Sequence, residues 1–560
     1  MKLKTTTLLL LILCIPVLTF AAKVEKSAGK AMFSITSYDQ SGKAIGTSSG
    51  FFISPTGEAL STFDVLKGAY SAEITDCKKK KWKVTRICGA SSLYNIVKFK
   101  TECPKSECLP LAKKQLTKGE QATLLTYQKE GISALPVQIS EVSTVDSIGY
   151  YTLNKNIDNT FAGCPVLNSN GEISATLQTN QGKDNTHSFA LDIAFADLLY
   201  TTGMSATEIA LNNIHIAKQL PKEEPQARTF IYLFGQNSKD TLSFLSAIGD
   251  YIAAYPEETL GYTQRATYWA SLKDYEKADA DLEKGLAQAK EKGDIHYEKS
   301  KLIYRLNMMA GYKQYKDWDM GKALSEADEA LSCTPLPIFT LQKADCQYAL
   351  KQYAEAFQSY QEVNKSNIAS PQTFGAAAIA AEMSKQDSIV ILALLDSAIT
   401  RYGTPSPKAA SIYILQRAAH LDRYGKYKEA AKDYQEVENL QGAKNLNDNF
   451  FYVKSLCETR ARLYARALAD IEKALLLRPN DYDYTVEKAL AQWRMGNYDE
   501  AIYAGQQALK LNPKGADAYK AIGLAYGEQG KKAEALKNLR KAKELGDPQA
   551  QALIDSMNGK

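Results

Sequence analysis

The side chains in this chain most able to carry chemistry are thiols and a few imidazoles. Nine cysteines and four histidines stand in 560 residues. The histidines, His187, His215, His296 and His420, are scattered, and no two cysteines have CxxC spacing. A protein zinc site needs three or four converging N or S ligands, so neither a metal site nor a cofactor is expected. Cys77 and Cys88 flank a lysine-rich turn between two strand-like runs, and Cys103 and Cys108 close a short loop. Both pairs are disulfide candidates if the chain reaches an oxidising compartment. The run Lys78 to Lys81 reads as a solvated hairpin tip whose charge discourages edge pairing.

The compartment follows from the first residues. MKLKTTTLLLLILCIPVLTFAAK places Lys2 and Lys4 before an apolar stretch from Leu8 to Phe20, with small residues at Thr19 and Ala21. That is the layout of a secretory leader, expected over residues 1–21. A membrane span needs about 20 apolar residues, and Pro16 interrupts this shorter stretch, so no transmembrane segment is expected in the mature chain. Cys14 suggests a lipidated leader, but Leu13 precedes it and apolar residues continue past it, against that motif. The protein is expected in the periplasm, at the cell surface or secreted.

Composition narrows the function classes. Lys+Arg number 68 and Asp+Glu 63, a formal net charge of +5, too weak a field over this length for a nucleic-acid footprint. With 45% hydrophobic and 23% charged residues the chain is neither largely disordered nor an integral membrane protein. It is also too long for one core, so several units are expected.

The elements that would position these residues fall into two textures. Residues 28–205 read as many short alternating strands, among them MFSITSYD, SGFFIS, AEITD, NIVKFK and EISATLQTN, the signature of a barrel or sandwich. SGFFISPTGEALSTFDVLKGA, LYNIVKFK and NTFAGCPVLNSNGEISATL, in this order, resemble the trypsin-like serine protease family. The resemblance implies an all-β double barrel. It also implies that the family's catalytic His, Asp and Ser positions fall on Asp64, Asn95 and Ala162. A hydroxyl nucleophile needs an imidazole to take its proton and a carboxylate to orient that imidazole, so these three cannot form the triad. Cys164, two residues beyond Ala162, is the nearest side chain able to replace the nucleophile, with Asp64 disfavouring a nearby thiolate. Cys164 is expected to be structural.

Residues 206–228, rich in proline and charge near LPKEEPQAR, read as a linker, and beyond them the apolar period becomes helical. Gly496, Ala501 and Ala508 recur as Gly530, Ala535 and Ala542, and Ala467 precedes Ala501 by the same interval of 34. The interval and residue types resemble the tetratricopeptide-repeat family over 229–550, about nine units, leaving a tail at 551–560. The resemblance implies an all-α superhelical solenoid that holds peptides or partner proteins. Groove-facing positions are expected at Met308, Met309, Tyr312, Tyr315, Tyr348, Tyr452, Leu456, Trp493 and Arg494, an aromatic and adaptable surface.

The expected whole is an exported binding or scaffolding protein: a catalytically dead trypsin-like domain followed by a tetratricopeptide superhelix. Two alternatives stand beside it, a peptidase using residues outside the triad positions and a β domain that merely caps the repeat array.

Overall fold

The computed structural model describes residues 28–559 apart from 129–130, 146–147, 181–185 and 238–240. The expected leader and Cys14 lie outside the described residues. The chain divides into two compact units, one ending at Ile295 and one starting at His296.

The first unit opens with two closed antiparallel barrels of six strands each. β1 (Met32–Tyr38), β2 (Ala44–Phe52), β3 (Glu58–Ser61), β4 (Ser71–Asp76), β5 (Lys81–Ser91) and β6 (Ile96–Thr101) close in the order β1-β2-β3-β6-β5-β4. β7 (Gln121–Gln128), β8 (Gly131–Val145), β9 (Ile148–Leu153), β10 (Pro165–Leu167), β11 (Ile173–Leu177) and β12 (Ser188–Asp192) close as β10-β11-β12-β9-β8-β7. Alternation sets the inward face: in β1, Phe33, Ile35 and Ser37 are fully buried. Phe33 meets Phe52 and Phe99 edge-on, with centroids 5.0 and 6.1 Å apart. Leu124, Ile139, Val166 and Leu191 fill the second barrel. Closure leaves no open sheet edge in either barrel.

The stretch 206–228 is packed onto the first barrel. Leu211, Ile214 and Ile216 join that barrel's core, and the Ile87 amide donates to Ala217 O while the Gln219 amide donates to Ile87 O. Lys218 is 4% exposed and its ammonium reaches Ile216 O at 2.9 Å. Its proline and charge imitate a linker, but three apolar side chains tie it down.

The helices run in pairs. In the first unit these are α1 (Glu224–Asn237) with α2 (Thr241–Ala254), then α3 (Thr259–Ser271) with α4 (Tyr275–Gln288). α5 (Lys292–Met308), within which the division falls, is followed by α6 (Met320–Cys333), α7 (Pro337–Ala349) with α8 (Tyr353–Asn364), and α9 (Pro371–Met383) with α10 (Ser388–Thr400). Next come α11 (Ser411–Arg423) with α12 (Tyr427–Gln441), α13 (Asp448–Arg460) with α14 (Tyr464–Leu477), α15 (Tyr482–Arg494) with α16 (Tyr498–Leu511), and α17 (Ala516–Glu528) with α18 (Lys532–Glu544). α19 (Ala550–Met557), in the residues expected as a tail, packs on α18 through Ala550 and Ile554.

Each sequence signal has its physical counterpart. Ala278, Ala323, Ala356, Ala430, Ala467, Ala501 and Ala535 are all buried to 1% exposure or less, where the second helix meets the first. The turn joining a pair holds one residue at positive φ: Gly425, Gly496 and Gly530, but also Lys273, Lys351, Lys385 and Arg462. Tyr275, Tyr353, Tyr427, Tyr464 and Tyr498 each open a second helix.

A further regularity is electrostatic. Midway along a first helix a cation meets a carboxylate of its own second helix: Arg265 with Asp281, Arg417 with Asp433, Lys454 with Asp470 and Lys299 with Glu326. Arg265 and Arg417 grip bidentately at 2.6 to 2.8 Å, each across 16 residues. These pairs are largely buried, so they fix which helix face meets which, and breaking one strands a charge.

Candidate functional site

The three positions that the protease resemblance singles out converge. Asp64 follows β3, Asn95 sits in the turn between β5 and β6, and Ala162 lies between β9 and β10, so two come from the first barrel and one from the second. The Asp64 amide donates to Asn95 Oδ1 at 2.9 Å, and Asn95 Nδ2 donates to Thr179 Oγ1 at 2.8 Å. Asn95 itself is at φ +45°, a conformation asparagine tolerates better than most residues. Ser48 Oγ donates to Ala162 O at 3.3 Å, and Thr62 Oγ1 donates to Ser48 Oγ at 3.1 Å. A Cβ added at Gly163, φ +86°, would lie 2.7 Å from Ser49 O and 3.3 Å from Thr62 Cγ2, so the loop presses closely on β2 and β3.

At these three positions stand a carboxylate, a carboxamide and a methyl group. Ala162 offers no heteroatom and is 5% exposed. An oxyanion needs free backbone amides at the nucleophile and two residues before it. Here both are occupied: the Ala162 amide donates to Asn159 O at 3.0 Å and the Thr160 amide to Asp158 Oδ1 at 2.8 Å. Asp158 thus caps a short 3-10 turn, Asn159–Phe161, that closes the loop on itself. Cys164 is fully buried, and burial pushes its thiol up to about 11, so it stays protonated at neutral pH. His187 is half-buried and hydrogen-bonds Thr186, while His215 stacks on Tyr70 at 4.2 Å.

Neither candidate disulfide is present: Cys77, Cys88, Cys103 and Cys108 are free thiols. Thr75 pairs with Lys81 at the hairpin end, which leaves Cys88 seven residues further along β5. At about 3.3 Å per residue that is roughly 23 Å, against a Cα separation of at most about 7 Å in a disulfide. Cys103 and Cys108 pack as small apolar side chains against the first barrel's core. At the hairpin tip Lys80 lies over the Trp82 ring at 3.8 Å and Lys81 pairs with Glu73 at 3.3 Å.

On the helical array the expected groove residues divide. Tyr348 in α7, Tyr452 and Leu456 in α13, and Trp493 and Arg494 in α15 are half-buried on first helices. α13 lies against α15, and α15 against α17. Met308 and Met309 are each 62% exposed where α5 ends. Tyr312 and Tyr315 are not on a first helix at all: they belong to residues 309–319, a connection of eleven residues where most pairs have three. Tyr315 meets Trp318 edge-on at 5.3 Å, and Tyr312 Oη donates to Trp318 O at 3.4 Å, so both wrap a buried tryptophan. Their three-residue spacing prolongs the helical period past the end of the helix.

The sequence reading missed other residues on the first-helix face. Ile379 and Met383 on α9, and Ile412 and Leu415 on α11, are 37 to 56% exposed. They carry an apolar stripe from α7 to α15. Where α5, α7 and α8 meet, aromatic side chains surround a carboxylate: Tyr297 packs on Phe339 at 5.0 Å, and Tyr360 Oη, on α8, donates to Asp345 Oδ1 at 2.6 Å. Burial raises the pKa of Asp345 and, with Asp345, those of Tyr304 and Tyr360. Counting from the start of each first helix, rather than from its aromatics, would have found those of these positions that lie on first helices.

Known proteins resemble parts of both halves. Residues 493–530 match the family described as TPR repeat, and residues 516–545 the family described as Tetratricopeptide repeat. The small glutamine-rich tetratricopeptide repeat-containing protein 2 of Mycosarcoma maydis is 34% identical over 93 residues, 17% of this chain and 26% of that protein. A TPR repeat-containing protein of Methanocaldococcus jannaschii is 26% identical over 228 residues, 40% of this chain and 38% of that protein. The chain therefore spans well under half the length of either relative. Among solved structures, an M. tuberculosis protease in its active form is similar at 17% identity and a TM-score of 0.28, over 31% of this chain and 82% of that one. The serine endoprotease from Yersinia pestis is similar at 16% identity and a TM-score of 0.28, over 32% of this chain and 64% of that one. The N-terminal region is a pair of closed six-stranded antiparallel barrels, and within the helical array that follows, residues 493–545 match tetratricopeptide-repeat families.

Proposed function

We propose that this chain is an exported binding or scaffolding protein: its β domain performs no peptide hydrolysis, and its repeat array holds a peptide or partner protein. The observation that carries the first part is the loop at Ala162, where the nucleophile position lacks a heteroatom and both amides that would cradle an oxyanion are occupied. Loss of a triad costs on the order of a million-fold in turnover. The buried, protonated Cys164 supplies no replacement.

The binding role is supported by the apolar stripe along the first helices, since stacked repeats present such a face to partners. Retention of capped peptides by the full chain, lost when Ile379, Leu415 and Leu456 are all replaced by serine, tests it. Equal retention by wild type and this triple variant contradicts it. Export rests on residues 1–21, and N-terminal sequencing of secreted product should give a start near Ala22; a modified Cys14 at the terminus would speak for lipidation instead.

A second reading, the β domain as a cap on the array, is favoured by two contacts. Arg86 on β5 grips Asp250 on α2 with Nε and Nη2, each at 3.0 Å, and Ser243 Oγ donates to His215 O at 2.7 Å.

A further inference from the structure

The first helices of successive repeats end in a ladder of charges. Glu382, next to last in α9, pairs with Arg423, the last residue of α11. Asp422, next to last in α11, pairs with Arg460, the last residue of α13. The following rung lacks its acid. Thr459 stands where α13 would supply the carboxylate, and its hydroxyl instead donates to Glu487 Oε1 at 3.0 Å.

The arginine that this rung would hold is Arg494, at the end of α15. Among the described residues it makes no ion pair, and its Nη1 is buried without a hydrogen-bond partner. Its guanidinium lies 5.7 Å from the centroid of the Trp493 ring. Leu456 and Leu490 stand four residues before Arg460 and Arg494 and are half-buried on the same helix faces. A guanidinium held against an indole and short of an acceptor suits a planar carboxylate, which it can take bidentately. Buried Glu487 feels both Arg460 and Arg494 but forms an ion pair with neither; Arg460 is paired with Asp422, so Arg494 is the rung left without a paired carboxylate.

We propose that this end of the first-helix face docks an acidic segment of a partner protein, which sets an Asp or Glu side chain on Arg494 and a neighbouring apolar side chain on the Leu456–Leu490 stripe. This rests on the reading that the array binds peptides, and it names the chemistry selected.

The experiment is affinity selection of random dodecapeptides, N-acetylated and C-amidated, on the full-length chain and on its Arg494→Gln and Thr459→Asp variants, with a parallel arm of free-acid peptides. Thr459→Asp completes the rung and keeps the arginine, so a melting temperature no lower than wild type checks the fold. Wild type should enrich peptides with Asp or Glu at a fixed spacing from a large apolar residue. A synthesised winner should bind either variant about tenfold more weakly, and its Glu→Gln form should lose the same affinity for wild type but none for Thr459→Asp. Enrichment without acidic preference, or a preference that survives in both variants, overturns the docking proposal and leaves peptide binding standing. Enrichment confined to the free-acid arm assigns a terminal carboxylate and overturns the side-chain form. No enrichment in either arm overturns the peptide-binding reading as well.

Discussion

Single residues set the electrical state of the array. Glu458, on α13, is fully buried with no donor to its carboxylate, and burial together with the neighbouring Asp470 carboxylate pushes its pKa up to about 8. Unfolded, the same side chain releases its proton near the ordinary 4.5. Its contribution to stability is thus full below about 4.5 and is lost as pH rises through about 8. Glu326 has the opposite sign. Burial alone would raise it, but His296, Lys299 and Lys322 hold it down to about 2, so its contribution is lost as pH falls below 4.5. Glu458→Gln should flatten the loss of stability between pH 5 and 8.5 and leave the acid limb unchanged, with a gain on the order of 2 kcal/mol at pH 8.5. Urea midpoints at pH 5, 7 and 8.5 check this, and an unaltered alkaline slope would contradict it.

At the scale of elements the helix pair is the unit, and two features of its joint are testable. Lys351 sits at φ +63° in the turn between α7 and α8, a backbone state costing a non-glycine residue about 1 kcal/mol. Lys351→Gly should therefore raise stability by roughly that amount, as Gly425 and Gly496 already provide at the same point of their own turns. Arg417→Ala should lower it by about 2 kcal/mol or more, because Asp433 remains mostly buried without its bidentate partner. Chemical denaturation curves measure both. The joint is also what the sequence displays best: a small residue, an aromatic and a turn residue at a 34-residue interval need no tertiary knowledge. The connection 309–319 was illegible because Tyr312 and Tyr315 keep helical spacing while packing on Trp318. The cysteine pairs misled for a related reason, since separation along the chain across a hairpin does not give distance along its strands. The ion pairs inside the repeats were legible in principle, as Arg265–Asp281, Arg417–Asp433 and Lys454–Asp470 share one interval, but charged residues are by default assigned to the surface.

For the whole molecule, the two textures of the sequence correspond to a double barrel and a helical array. Asp64, Asn95 and Ala162 could be singled out because they sit in segments that resemble a known family, whereas the occupied amides of Thr160 and Ala162 emerge only once Asp158 folds back on the loop. The stretch 206–228 resisted reading because Ile214 and Ile216 are buried by a barrel far away in sequence. Through that stretch and the Arg86–Asp250 contact, the first unit carries α1 to α4 together with the barrels. A fragment of residues 225–560 loses Ala206 from the cluster around Phe230 and Phe234. Hydrogen exchange should then show α1 and α2 deprotected by at least tenfold, with α13 to α18 unchanged; unaltered protection of α1 and α2 would remove the cap reading.

The claim that this chain binds without cutting is tested most directly by mass spectrometry of a complex peptide mixture incubated with the full-length protein and then eluted from it. A retained subset should be recovered at full length, with no new termini in either the bound or the unbound fraction. Cleavage products that accumulate with time and vanish in the Cys164→Ala variant would contradict it.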